Sequence, residues 1–126
     1  MNPYESEIDM AYEQGVIDEG YEWEERMSEM AAQEAEYMMQ QEQLYRDAID
    51  KFGKDTQILK CIEEMAELTQ ALCKGDHDNI IEEMVDVRIC LDQMALIYID
   101  SMESCHLNRD MYNYKLERLR ERVNDE

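Results

Sequence analysis

Residues 53–86 read GKDTQILKCIEEMAELTQALCKGDHDNIIEEMVD. Between the two glycines, Ile58, Ile62, Met65, Thr69 and Leu72 recur at three- and four-residue spacing, the period of a helix with one apolar face. Asp55 is placed to cap that helix, which runs to about Lys74, where Gly75 supplies the left-handed residue that commonly ends one. Asp76 or Asp78 then caps a second helix, on which Ile80, Met84, Val87, Leu91, Ala95, Tyr98 and Met102 form a single stripe. A link this short makes the two helices antiparallel neighbours.

Outward from this hairpin the pattern stays helical. Upstream, Met27, Met30, Ala31, Glu34, Met38, Gln41 and Tyr45 keep an approximate three-and-four spacing among good helix formers, which predicts a helix from about Tyr21 or later to Phe52, stopped by Gly53. Downstream, a looser stretch through Ser101, Ser104 and Asn108 leads to a helix from about Asp110 to Val123. Its last turns are basic (Arg118, Arg120, Arg122), favourable at a C-terminus. One Pro and four Gly in 126 residues leave few helix breakers. The expected class is all-α, a four-helix bundle in one domain.

Thirty-two acids against twelve bases give a net charge of −20. Such a field repels phosphate backbones and anionic membranes, so neither nucleic acid nor membrane is an expected partner. The longest apolar run, Met94 to Ile99, is far shorter than the roughly 18 residues of a membrane span. Cys61, Cys73, Cys90 and Cys105 form no C-x-x-C pair and fall in helical patterns, as structural thiols of a cytoplasmic protein do. Charge is uneven: residues 1–44 carry thirteen acids and one base, and Gly15 and Gly20 interrupt their apolar pattern. They read as a partly helical acidic extension, and residues 45–126 as the functional domain.

Within the hairpin, four acids sit on the flanks of apolar arcs. Glu64 and Glu67 flank one stripe; Glu83, between Cys90 and Met94 in projection, and Asp86, beside Ile97, flank the other, whereas Glu82, Gln93 and Asp100 project to solvent. Unpaired charge in such places costs several kcal/mol or is protonated, so acids there are paired, hydrogen-bonded or metal-bound. Each pair is spaced i, i+3, which stacks two carboxylates about 5–6 Å apart on one helix surface. Antiparallel packing would face the pairs. Hard oxygen donors without histidine favour Mg²⁺ or Mn²⁺, with a phosphorylated substrate completing the shell. The competing reading is chance: a quarter of the chain is acidic, and most i, i+3 acid pairs are solvated.

The segment Ile62–Leu72 (IEEMAELTQAL) followed by Glu83-Met84-Val85-Asp86 resembles the MazG-like all-α nucleotide pyrophosphohydrolases, whose pattern is E-E-x-x-E, a spacer and E-x-x-D. Glu63, Glu64 and Glu67 match the first half and Glu83 and Asp86 the second, across a spacer of fifteen residues. The V-R-I-C-L continuation and the final N-Y-K-L-E-R-L-R-E-R are also similar, so the likeness covers about residues 45–123. It implies Mg²⁺-dependent hydrolysis of a nucleoside triphosphate to a monophosphate and pyrophosphate. Metal-ligand positions fall to Glu64, Glu67, Glu83 and Asp86, and orientation of the attacking water to Glu63 or Glu67. Glu63 projects away from Glu64, and its competing role is a helix-surface acid.

A triphosphate also needs local positive charge. Bases are scarce, which makes Lys60, Lys115, Arg118 and Arg122 the candidates; Lys115 lies in the stretch that resembles the family's phosphate-contacting region. Gln57, Tyr45 or Trp23 could read the base by hydrogen bonding or stacking. The resemblance also implies association as a homodimer or homotetramer, which would complete the bundle and cover apolar faces. Two other readings compete. Glu103…His106 forms the E-x-x-H of di-iron bundles, but the second copy that those bundles need is missing. The alternative of a different class is a non-enzymatic acidic interaction protein or nucleic-acid mimic on a helical scaffold, which would tolerate Glu64→Ala.

Overall fold

The computed structural model describes residues 21–125, and all four elements found there are helices: α1 (Tyr21–Phe52), α2 (Lys54–Lys74), α3 (His77–Tyr98) and α4 (Met102–Asn124). Expectations for Tyr4 to Gly20 lie outside the described residues. No described helix is long and apolar enough to cross a membrane. Contacts divide the chain into two units between Gln43 and Leu44, inside α1. In the first unit, side chains 22–40 of α1 are all exposed. The second unit holds the end of α1 together with α2, α3 and α4.

The helix ends follow from local chemistry. Gly53, at φ 91°, breaks the chain between α1 and α2 without a side-chain cap. Asp55 is therefore not the cap but a first-turn acid, favourable beside the positive end of the helix dipole. Gly75 adopts the left-handed conformation, φ 74° and ψ 19°, and its N–H closes on the Ala71 carbonyl at 3.0 Å. Asp76 caps α3 by accepting from the Asn79 N–H. At the next break the expectation of a loose stretch fails: Ser101 and Ser104 form a reciprocal capping box, so α4 begins at Met102 rather than near Asp110.

Helices α2 and α3 pack antiparallel along their length, with Gln57 near the start of α2 bonded to Gln93 near the end of α3. On α2 the inward residues are Gln57, Cys61, Glu64, Leu68 and Ala71; on α3 they are Glu83, Asp86, Cys90, Gln93 and Ile97. Both series alternate steps of three and four, the spacing of a coiled-coil seam. Small residues at Cys61, Ala71 and Cys90 let the backbones approach. This seam is not the apolar stripe expected from periodicity. Ile62, Met65, Leu72, Met84, Leu91 and Tyr98 lie beside it and are exposed, Ile62 at 54%. Glu64, expected on a flank, occupies the seam itself. No residue of α4 is buried.

Candidate metal centre

Glu64 comes from the middle of α2, while Glu83 and Asp86 are one turn apart on α3. One carboxylate oxygen from each lies within 4.8 Å of the others. Glu64 is 6% exposed. Its Oε1 receives Lys60 Nζ at 2.9 Å, whereas its Oε2, like Glu83 Oε2, is buried with no hydrogen-bond partner among the described residues. Three acids against one half-exposed lysine leave the cluster under-neutralised, and orphaned buried acceptors are costly. The vacant lone pairs are oxygen donors of the hard type that a divalent cation of the Mg²⁺ class takes. The residues present fit such an ion.

The other acids of the motif are placed differently. Glu67 is exposed at the margin of the triad, and its carboxyl is raised from the usual range chiefly by the negative charge of Glu64, then by desolvation. It is not one of the three converging side chains. Glu63 faces outward and approaches Lys60 at 3.8 Å. The lysine is itself shifted upward, above all by its hydrogen bond to Glu64 and then by that residue's charge. Lys60 therefore stays cationic at the mouth of the cluster.

Beside the triad, a cavity of about 380 Å³ opens between the helices. Its charged end is lined by Lys60, Glu64 and Asp86, and its other end by Phe52, Ile89, Cys90 and the Gln57–Gln93 pair. At that pair Gln57 Nε2 donates to Gln93 Oε1 at 2.6 Å. Gln93 corrects the sequence reading: it was expected to project to solvent and is instead only 6% exposed. A signal existed, since Gln93 follows Asp86 by seven residues and so shares its place in the seam repeat. Burial pushes the Cys90 thiol up, with Cys61 beside it adding to the shift.

Within one chain the structure does not bring Lys115 or Arg118 to the carboxylates. Both lie on α4, where with Arg122, Tyr112 and Leu119 they line a separate open cavity of about 430 Å³. Tyr45 is half-buried on α1 and lines neither cavity. Trp23 belongs to the first unit and is exposed. Glu103 and His106 join no cluster of potential metal ligands among the described residues. No protein-family model, curated protein or solved structure matches the chain.

Proposed function

We propose that the α2–α3 hairpin holds Mg²⁺, with Mn²⁺ as a substitute, between Glu64, Glu83 and Asp86, and that the protein is a MazG-like nucleotide pyrophosphohydrolase. The reaction is hydrolysis of a nucleoside triphosphate to the monophosphate and pyrophosphate. The observation that carries this reading is the pair of buried, unpartnered oxygens, Glu64 Oε2 and Glu83 Oε2, in a triad of which Glu64 and Asp86 line a ligand-sized cavity. When bound there, a divalent cation supplies charge neutralisation to the phosphate oxygens as the anhydride bond breaks.

The remaining roles belong to side chains. Lys60, held at the cavity mouth, pairs with a phosphate oxygen in place of Glu63. Glu67, exposed at the margin of the triad, is the carboxylate placed to take a proton from the attacking water. Glu63, on the next outward position, orients that water if Lys60 turns to the substrate. Lys115 and Arg118 reach a triphosphate in this scheme only from another copy, in a homodimer or homotetramer that also completes the bundle. A cytoplasmic setting supplies the nucleotide and keeps the four thiols reduced.

One observation favours a second reading. Side chains 22–40 of α1 are uniformly exposed and strongly acidic, which suits a non-enzymatic module that binds a basic partner. Pyrophosphate release from a panel of ribo- and deoxynucleoside triphosphates, with Mg²⁺ or chelator, separates the two. Release that needs metal and is lost in Glu64→Ala is the expected result. If the folded chain releases none from any of these triphosphates, the reading as a hydrolase of common nucleotides fails, leaving an unusual nucleotide or the acidic module to be tested next.

A further inference from the structure

The end of the α2–α3 cavity away from the carboxylates contains a polar group that the phosphate chemistry leaves unused. Gln93 is buried to 6% exposure, and its carbonyl accepts the Gln57 amide at 2.6 Å. Neither side chain has another hydrogen-bond partner among the described residues. Phe52 and Ile89 supply apolar surface on the same cavity, and Phe52 is itself 55% exposed. A flat, amphipathic ligand bearing an anionic tail would match this layout: ring against Phe52 and Ile89, polar edge on the amides, tail toward Lys60 and the triad.

We infer that the Gln57–Gln93 pair reads the edge of a nucleobase and accepts amino and keto bases alike. This inference rests on the nucleotide reading proposed above. In the observed orientation Gln57 Nε2 points to Gln93, which leaves the Gln57 carbonyl for the cavity, an acceptor suited to an exocyclic amino group. If both amides turn over, Gln93 Nε2 donates to Gln57 Oε1 and the Gln57 amide nitrogen faces the cavity, a donor suited to a keto oxygen. The bond between the side chains is kept in both states. The terminal torsion of glutamine is broad and roughly two-fold, and no third side chain fixes either orientation. A site locked by such a third partner would instead reject the wrong edge strongly.

Calorimetric titration of the full chain with Mg²⁺ and three probes tests this: inorganic tripolyphosphate and the α,β-imido analogues of deoxycytidine and deoxyuridine triphosphate. Both analogues should bind at least about tenfold tighter than tripolyphosphate and within about threefold of each other. Gln57→Leu should weaken both analogues by about the same factor, the contact with Phe52 and Ile89 being kept, while leaving tripolyphosphate binding unchanged, which also reports an intact fold. Gln57→Glu presents only an acceptor, so the cytosine analogue should gain about tenfold over the uracil one. Charge repulsion weakens all three probes together and leaves that ratio untouched. Analogues no tighter than tripolyphosphate would overturn the base-reading role while the metal–phosphate reading survived. A native preference of about a hundredfold for one analogue would overturn the turning pair. Metal-dependent binding of none of the three would remove both readings.

Discussion

Asp86 shares with Glu64 and Glu83 a space in which three carboxylate oxygens lie within 4.8 Å of one another. Like charges so close, partly shielded from water, work against folding unless a cation joins them. Asp86→Asn removes one charge and keeps the shape. In chelator this variant should melt about 4–8 °C higher than the native protein, the equivalent of roughly 1 kcal/mol in a domain of this size. Added Mg²⁺ should raise the native melting temperature and leave the variant nearly unmoved. A native protein indifferent to Mg²⁺ would count against the metal centre.

The thiols give a second check at this scale, because Cys61 and Cys90 are buried while Cys73 and Cys105 are exposed. Two of the four should react quickly with an aromatic disulfide reagent and two only on unfolding. Among the acids, Glu64, Glu83 and Asp86 were legible in the sequence, because charge that helical projection places in or beside an apolar arc requires a reason to be there. Gln93 was legible only through its seven-residue spacing from Asp86, since a neutral amide on the side that projection assigns to solvent gives no such warning.

At the scale of elements, turn chemistry was the more readable signal and face assignment the less. Gly53, Gly75 and Asp76 mark breaks because few other residues adopt those conformations or cap so well. Gly75 is the joint of the hairpin: a Cβ added there would meet nothing within 4 Å, so only its φ of 74° resists substitution. Gly75→Ala should therefore cost about 1 kcal/mol, read as a lower urea midpoint at unchanged slope. The Ser101–Ser104 box escaped the sequence reading because serines are equally at home in loops. The faces were misassigned for a more general reason. Periodicity finds the largest apolar stripe, whereas close approach of two helices selects small residues, and here Cys61, Ala71 and Cys90 outbid Ile62 and Leu91 for the seam.

For the whole molecule, that displacement leaves a large apolar surface to be accounted for. An antiparallel helix pair has an approximate two-fold axis across it, so stripes rotated from the seam by the same sense in both helices fall on one face of the hairpin. Ile58, Ile62, Met65 and Leu72 of α2 thus share a face with Met84, Leu91 and Tyr98 of α3, and most of these are exposed in the single chain. Each such side chain withdrawn from water contributes about 1.5–3 kcal/mol. A net charge of −20 opposes association, but over a Debye length of about 8 Å at physiological salt it is screened, while apolar contact is not. Self-association through this face should therefore strengthen with salt. Sedimentation of the native protein should give a dimer or tetramer of the 15.1 kDa chain. Ile62→Lys with Leu91→Lys should return it to monomer with its helical circular dichroism intact, since neither side chain belongs to the seam. A native protein that sediments as a monomer at all salt concentrations would show that this face is not where copies meet.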